Sequence, residues 1–269
     1  MTERSMSIAD LAITFVEPSS TQQKVIAGHL QKLGLSRVDW FGDGGSALQD
    51  MRKYQPDLVV SAMHLPDMSG TELVQQMRDD SELEAIPFMV VSSENSDYYL
   101  EPARQAGVVA ILSKPFDPED LKKALYSTLE FIEPDKMALD EVDLDELIVL
   151  VVDDSSTARK HITRVLKNLG IENIVTAVNG KEALECMGRQ LFDLIVTDYN
   201  MPEMDGQELT RYVREHSVQK SIPILMVTSE ANCSQLAGVK QSGVSALCDK
   251  PFEPGEVKSL IKNILASSM

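Results

Sequence analysis

At 269 residues the chain is long enough for two domains of ordinary size, and its hydrophobic (43%) and charged (25%) fractions are those of a globular protein. A formal net charge of -17 argues against nucleic acid as a direct partner, because that association relies on Lys and Arg neutralising phosphates; a basic protein partner stays open. No apolar run approaches the ~20 residues that span a bilayer, and three cysteines without metal or CxxC spacing, Cys186, Cys233 and Cys248, fit buried free thiols in a reducing cytosol.

In chain order, the opening MTERSMSIAD carries charges and lacks the apolar core of a signal peptide. Residues 11–126 alternate strand and helix. Their landmarks are Ser19-Ser20-Thr21, Asp43-Gly44, Pro66, Gly70, Pro87 and Lys114-Pro115-Phe116. Pro134 is expected to end the last helix of this part. EPDKMALDEVDLDE, from Glu133 to Glu146, reads as an acidic linker that repels itself and stays extended, with room for a helical turn near Met137 to Val142. Beyond it, strands are predicted near 147–152, 173–177, 193–198, 223–228 and 245–249. Helices are predicted near 156–169, 181–189, 206–216, 231–242 and 253–266. The strands are continuous apolar runs, as expected when both faces are covered. Short strands alternating with helices imply right-handed crossovers and a parallel sheet with helices on both sides.

The chain is written twice. Gly206 matches Gly70, and 206 - 70 = 136. Pro202 and Pro66, Pro223 and Pro87, Lys250-Pro251-Phe252 and Lys114-Pro115-Phe116, and Ser155-Ser156-Thr157 and Ser19-Ser20-Thr21 share that offset without a gap. The expected organisation is a first domain over 1–132, a linker over 133–146 and a second domain over 147–269.

In the second copy the apolar strands end on chemistry. LIVLVV runs into Asp153-Asp154, LIV into Asp198, PILMV into Thr228, and ALCD into Lys250. Ligands of open α/β sheets bind at this carboxyl edge, so three acids, a hydroxyl and a lysine describe one site. Blander roles exist for the single pieces. Asp and Ser favour the turn before a helix, and Ser155 or Ser156 is expected to cap one. Lys250-Pro251 alone is an ordinary loop before a helix-starting proline. His64 reads as a surface residue, and His161 and His216 fall on helices and need no role. Met63, Met201 and Met204 read as gap-fillers near the sheet edge, and Trp40 as a packed ring with its N–H near the surface.

Taken together, Asp153-Asp154, Asp198, Asn200-Met201-Pro202, Asp205-Gly206, Thr228 and Lys250-Pro251-Phe252 make the second copy resemble the receiver domain of bacterial two-component response regulators, of the CheY-like kind. The resemblance covers essentially all of 147–266 and, as scaffold only, 11–126. It implies an α/β chain with two flavodoxin-like (βα)5 domains, each a five-stranded parallel sheet in order 2-1-3-4-5 with helices on both faces.

The resemblance also implies roles. Asp198 is the phosphoacceptor, taking a phosphoryl group from a sensor histidine kinase or phosphotransfer protein. Mg²⁺ is held by the side chains of Asp154 and Asp198, the backbone carbonyl of Asn200 and, mainly through water, Asp153. Lys250 pairs with the phosphoryl oxygens and Thr228 hydrogen-bonds one of them. The switch moves Thr228 and the face made by the fourth helix (231–242) and fifth strand (245–249). Leu247 stands where the family usually has an aromatic that follows this motion, which leaves that readout in doubt. Asn200 and Glu230 are expected to influence phosphoryl lifetime.

The first copy reads as degenerate. Glu17, Pro18 and Ala62 replace Asp153, Asp154 and Asp198, while Ser92 and Lys114 stand for Thr228 and Lys250. Ala62 cannot accept a phosphoryl group, Pro18 offers no side-chain ligand, and Lys114 is left without an assigned partner. This copy is expected to be a pseudo-receiver that binds the second copy, a dimer mate or another protein. No helix-turn-helix or basic patch is read after the last receiver helix, so the expectation is that output passes through protein contacts in the cytoplasm or that the second copy serves as a relay stop. The rival readings are an aspartate-nucleophile phosphatase and a phosphorylation-independent scaffold. Phosphatases of that kind usually place nucleophile and acid two apart after one strand, which Asp153-Asp154-Ser155 does not.

Overall fold

The computed structural model describes residues 7–94, 97–132, 144, 146–228, 243–250, 252 and 257–263. The chain divides into two compact units, Met1–Pro134 and Asp135–Met269, and each is described by itself. Several sequence expectations lie outside the described residues: Pro134, the linker apart from positions 144 and 146, Glu230, Cys233, the helix over 231–242, Pro251 and both ends of the helix over 253–266.

The first unit opens with a 3-10 turn, Ile8–Asp10, that no sequence signal announced, and continues as β1 (Ala12–Val16), α1 (Ser20–Lys32), β2 (Arg37–Phe41), α2 (Gly44–Met51), β3 (Leu58–Ala62), α3 (Gly70–Asp79), β4 (Phe88–Ser92), α4 (Asp97–Gln105), β5 (Ala110–Ser113) and α5 (Pro118–Ile132). The second repeats the plan with β6 (Ile148–Val152), α6 (Ser156–Asn168), β7 (Asn173–Ala177), α7 (Gly180–Met187), β8 (Leu194–Asp198), α8 (Gly206–His216), β9 (Ile224–Thr228), β10 (Ala246–Asp249) and helical residues 257–263. The 136-residue offset of the sequence is kept by element starts: β1 and β6, α3 and α8, and β5 and β10 each begin 136 apart.

Both sheets are parallel. The first runs β2-β1-β3-β4-β5 and the second β7-β6-β8-β9-β10, the 2-1-3-4-5 order of a flavodoxin-like fold. Position in the sheet explains the strand patterns. Central β3, β8, β4 and β9 are buried at every residue, so each opens as an apolar run and carries its polar residues at or near its carboxyl end. Edge strands β2 (RVDWF) and β7 (NIVTA) have half-exposed positions and admit Arg, Asp and Asn. In the first unit one apolar cluster joins Val16, Val59, Leu73 and Phe88, and a second joins Phe15, Ile26, Val60 and Leu121. Successive residues of β1 and β3 thus point to opposite faces, each covered by helices. Trp40 stacks on Phe15 with ring centroids 4.8 Å apart.

Helix starts are fixed locally. Ser19, Asp43 and Ser69 cap α1, α2 and α3, and Ser155, Asn179 and Asp205 do the same 136 residues later. Asp205 and Glu208 form a reciprocal capping box at α8, as Ser69 and Glu72 do at α3. Gly206 has a second duty. A Cβ there would lie 2.2 Å from the Asp198 carbonyl oxygen, so only glycine lets α8 begin against the end of β8. Of the cysteines, Cys248 is buried while Cys186 is half-exposed, which corrects the expectation of buried thiols at that position. Among the described residues no helix is long and apolar enough to cross a membrane.

Candidate functional site

Strand order and crossover rules bring the ends of β6, β8 and β9 side by side. Asp198 is the last residue of β8, and Asp153 is the first beyond β6, whose residues Val149 to Val152 pair with Leu194 to Thr197. Thr228 ends β9, adjacent to β8, and lies opposite Asp249 of β10. Lys250 therefore emerges beside Thr228, and its backbone N–H donates to the Thr228 carbonyl at 2.9 Å.

The lysine side chain turns inward. Its Nζ lies 2.8 Å from Asp198 Oδ1 and 3.2 Å from Asp153 Oδ2, with all three side chains nearly excluded from solvent. Asp153 also accepts the Ser155 backbone N–H at 2.8 Å through Oδ1. Asp198 Oδ2 is buried and has no hydrogen-bond partner. Asp154 completes the group from the exposed side, and one oxygen from each of Asp153, Asp154 and Asp198 falls within 4.8 Å of the others.

This arrangement is electrostatically expensive. Burial pushes the Asp198 carboxyl up to about 6; Lys250 opposes that rise and Asp153 adds to it. Burial likewise raises Asp153, again against the pull of Lys250. For Lys250, burial acts to discharge the ammonium, but the two carboxylates outweigh it and its pKa is raised. Three ionised acids and one ammonium leave a local charge of two minus in a largely dry setting. A buried carboxylate oxygen without a partner and a net deficit of two positive charges fit a divalent cation with hard oxygen ligands.

The remaining expected residues frame this cluster. Asn200 is exposed on the loop beyond β8, and Met201 and Met204 pack beneath it as gap-fillers. Leu247 is half-buried on β10. Glu203 on the same loop takes a left-handed backbone conformation (φ 67°), and its carboxylate accepts from Asn179 Nδ2 at 3.3 Å and meets Lys181 Nζ at 3.2 Å, tying the loop to the start of α7. The sequence did not point to Glu203.

The equivalent place in the first unit is built differently. Ala62 ends β3, and Ser92 ends β4 with its hydroxyl accepting the Glu94 N–H at 2.9 Å. Lys114 does have a partner, contrary to the expectation from sequence. Its Nζ sits 2.9 Å from Glu17 Oε2, and Glu17 is only 3% exposed. The other Glu17 oxygen accepts the Ser19 N–H at 2.9 Å. Glu17, at the position of Asp153, thus keeps the acid-to-lysine contact that Asp153 makes with Lys250. Pro18 is exposed, and His64 lies on the surface with Nε2 3.6 Å from Glu94. One acid and one base make this site neutral by itself.

Comparison with known proteins agrees with the fold. The family profile described as the response regulator receiver domain matches residues 13–126 and again 149–262. The chain therefore belongs to the response regulator receiver family, with two receiver domains in tandem, and receiver domains are signalling domains of two-component systems. Among individual relatives, the chemotaxis protein CheY of Pseudomonas aeruginosa is 41% identical over 116 residues, covering 43% of this chain and 94% of that protein. Chemotaxis protein CheY-3 of Vibrio cholerae is 37% identical over 116 residues, covering 43% and 89%. The solved structure of Vibrio cholerae CheY4 is similar at 35% identity and a TM-score of 0.41, covering 44% of this chain and 98% of that one.

Proposed function

We propose that the second domain, residues 147–269, is the phosphoacceptor of a two-component relay in the cytoplasm, that the first, residues 1–132, is a non-phosphorylated interaction module, and that the acidic stretch 133–146 joins them. The observation that carries this reading is the contrast between the two strand-end sites. One gathers three acids and a lysine around a carboxylate oxygen with no partner; the other pairs a single acid with its lysine and ends β3 on Ala62.

Asp198 is the nucleophile, through one carboxylate oxygen. It attacks phosphorus of a phosphohistidine on a sensor kinase or phosphotransfer protein; a P–O bond forms, the P–N bond breaks, and the leaving imidazole takes a proton. The product is an acyl phosphate on Asp198. Lys250 then exchanges its contact with Asp198 Oδ1 for the phosphoryl oxygens, and the Thr228 hydroxyl donates to one of them. The acids suited to hold Mg²⁺ are Asp154 and Asp198 by side chain and Asp153 more distantly, with the Asn200 carbonyl completing the protein ligands. When bound, the cation neutralises the acid cluster and the charge that develops on phosphorus. Output passes through protein contacts made by the surface near Thr228 and Leu247.

In the first domain nothing equivalent can form. Ala62 has no nucleophilic oxygen, and Glu17 already neutralises Lys114, so no cation is required there. The test is intact mass after incubation with Mg²⁺ and acetyl phosphate. A single adduct on wild type, absent from Asp198→Asn, is expected; two adducts, or one that survives the substitution, would refute the assignment. Repeated turnover of simple phosphomonoesters that depends on Asp198 would favour a phosphatase instead.

A further inference from the structure

The loop that carries both acids, between β6 and α6, is held by a residue with no role so far. Arg159, on the first turn of α6, donates through Nη1 to the carbonyl oxygens of Asp153 (2.5 Å) and Asp154 (3.1 Å). Two successive peptides of the acidic loop are thus gripped by one guanidinium nitrogen. Asp153 is further fixed through Ser155 N–H and Lys250. Asp154 is exposed, and the grip on its own carbonyl fixes the peptide from which its carboxylate projects.

The first domain supplies an internal control. The residue 136 positions earlier is Gln23, at the same place on α1, and its Nε2 donates to the Glu17 carbonyl at 2.6 Å. A neutral amide therefore suffices to brace this loop onto its helix where the acids are missing. In this chain the cationic brace stands beside the acids and the neutral one stands where they are missing.

We infer that Arg159 is a positioning residue for the second-domain site, setting the Asp153-Asp154 peptides so that the Asp154 carboxylate faces Asp198 across the place where a divalent cation is held. This rests on the cation-dependent reading of that site. The sign of the effect separates positioning from plain electrostatics. A fixed positive charge beside the site repels Mg²⁺, so if charge were its main influence, removing it would tighten Mg²⁺ binding. Positioning predicts the reverse.

The test uses the full chain with Arg159→Gln, which copies the first domain, and Arg159→Lys, which keeps the charge but lacks the planar fork. Mg²⁺ is titrated alone while the Tyr199 and Gly206 amide resonances are followed, and thermal melting is recorded for each variant. Both variants are expected to melt close to wild type and to bind Mg²⁺ about tenfold more weakly, the usual scale for groups that orient ligands from behind. Tighter or unchanged Mg²⁺ binding in Arg159→Gln would overturn the inference, as would a lowered melting temperature with the same Mg²⁺ affinity. If Arg159→Gln did not fold, the matching brace in the first domain would be no guide and the inference would fall on that count. Wild type taking up no Mg²⁺ would refute the underlying site reading; wild type and both variants binding equally would refute the role of Arg159 alone.

Discussion

Replacing Asp198 by Asn should make the second domain more stable at neutral pH, although it removes the group on which the chemistry depends. Burial raises Asp198 from the ordinary 3.8 to about 6, so holding it ionised in the fold costs about two pK units, or roughly 3 kcal/mol. The sign follows from proton linkage. Between those two values the folded state binds more proton than the unfolded chain, so stability falls as pH rises through the window and stays low above about 6. Wild type should therefore lose roughly 2 kcal/mol from this residue between pH 4 and pH 7 without divalent cation, and Asp198→Asn should lose that slope. Urea unfolding across this range reads it directly. Trp40 is the chain's single tryptophan and lies in the first domain, so its fluorescence reports that domain, and the transition in far-UV ellipticity that it does not follow belongs to the second. Parallel pH profiles for wild type and variant, or a wild type that gains stability on going from pH 4 to 7, would refute the reasoning.

Four other outcomes are expected. Lys250→Met leaves two buried acids uncompensated and should cost the second domain about 3–5 kcal/mol at pH 7, with a clearly smaller loss in an Asp198→Asn background, read by a double-mutant cycle in urea. Glu17→Gln should weaken the first domain by about 1–3 kcal/mol, seen as an earlier Trp40 transition, because Lys114 loses its buried acceptor. Gly206→Ala drives a Cβ against the Asp198 carbonyl and should cost about 1–3 kcal/mol while slowing phosphoryl uptake, checked by unfolding and by the rate of mass gain. Saturating Mg²⁺ should raise the melting temperature of the second-domain transition alone, by an amount equivalent to about 2.7 kcal/mol at a hundred times its dissociation constant, and chelation should reverse it.

Much of the fold could be read from the chain because each feature had a local cause. Apolar runs marked the buried centre of the sheet, caps such as Ser155 and Asp205 marked helix starts, and the constant 136-residue offset fixed both copies to one plan. The meeting of Asp153, Asp198 and Lys250 was also legible, since each stood at or just past the end of a predicted strand. What escaped was long-range side-chain reach. Glu17 could be seen to replace Asp153, but not that it would still close on Lys114, 97 residues away, once the other acids were gone. No sequence motif drew attention to Arg159 or Glu203; only the folded loops show one gripping two carbonyls and the other tied to Asn179 and Lys181. The 3-10 turn at Ile8–Asp10 rests on a single short capping box around Ser7 and Asp10, too little signal to stand out.

The most direct test of the central claim is to locate the phosphoryl group. After incubation with Mg²⁺ and a phosphodonor, borohydride reduction converts an aspartyl phosphate to homoserine, and peptide mapping then reads its position in both domains at once. Conversion at residue 198, with no other site in either domain, is the predicted result. Conversion at another acid, or in any peptide of the first domain, would contradict the account.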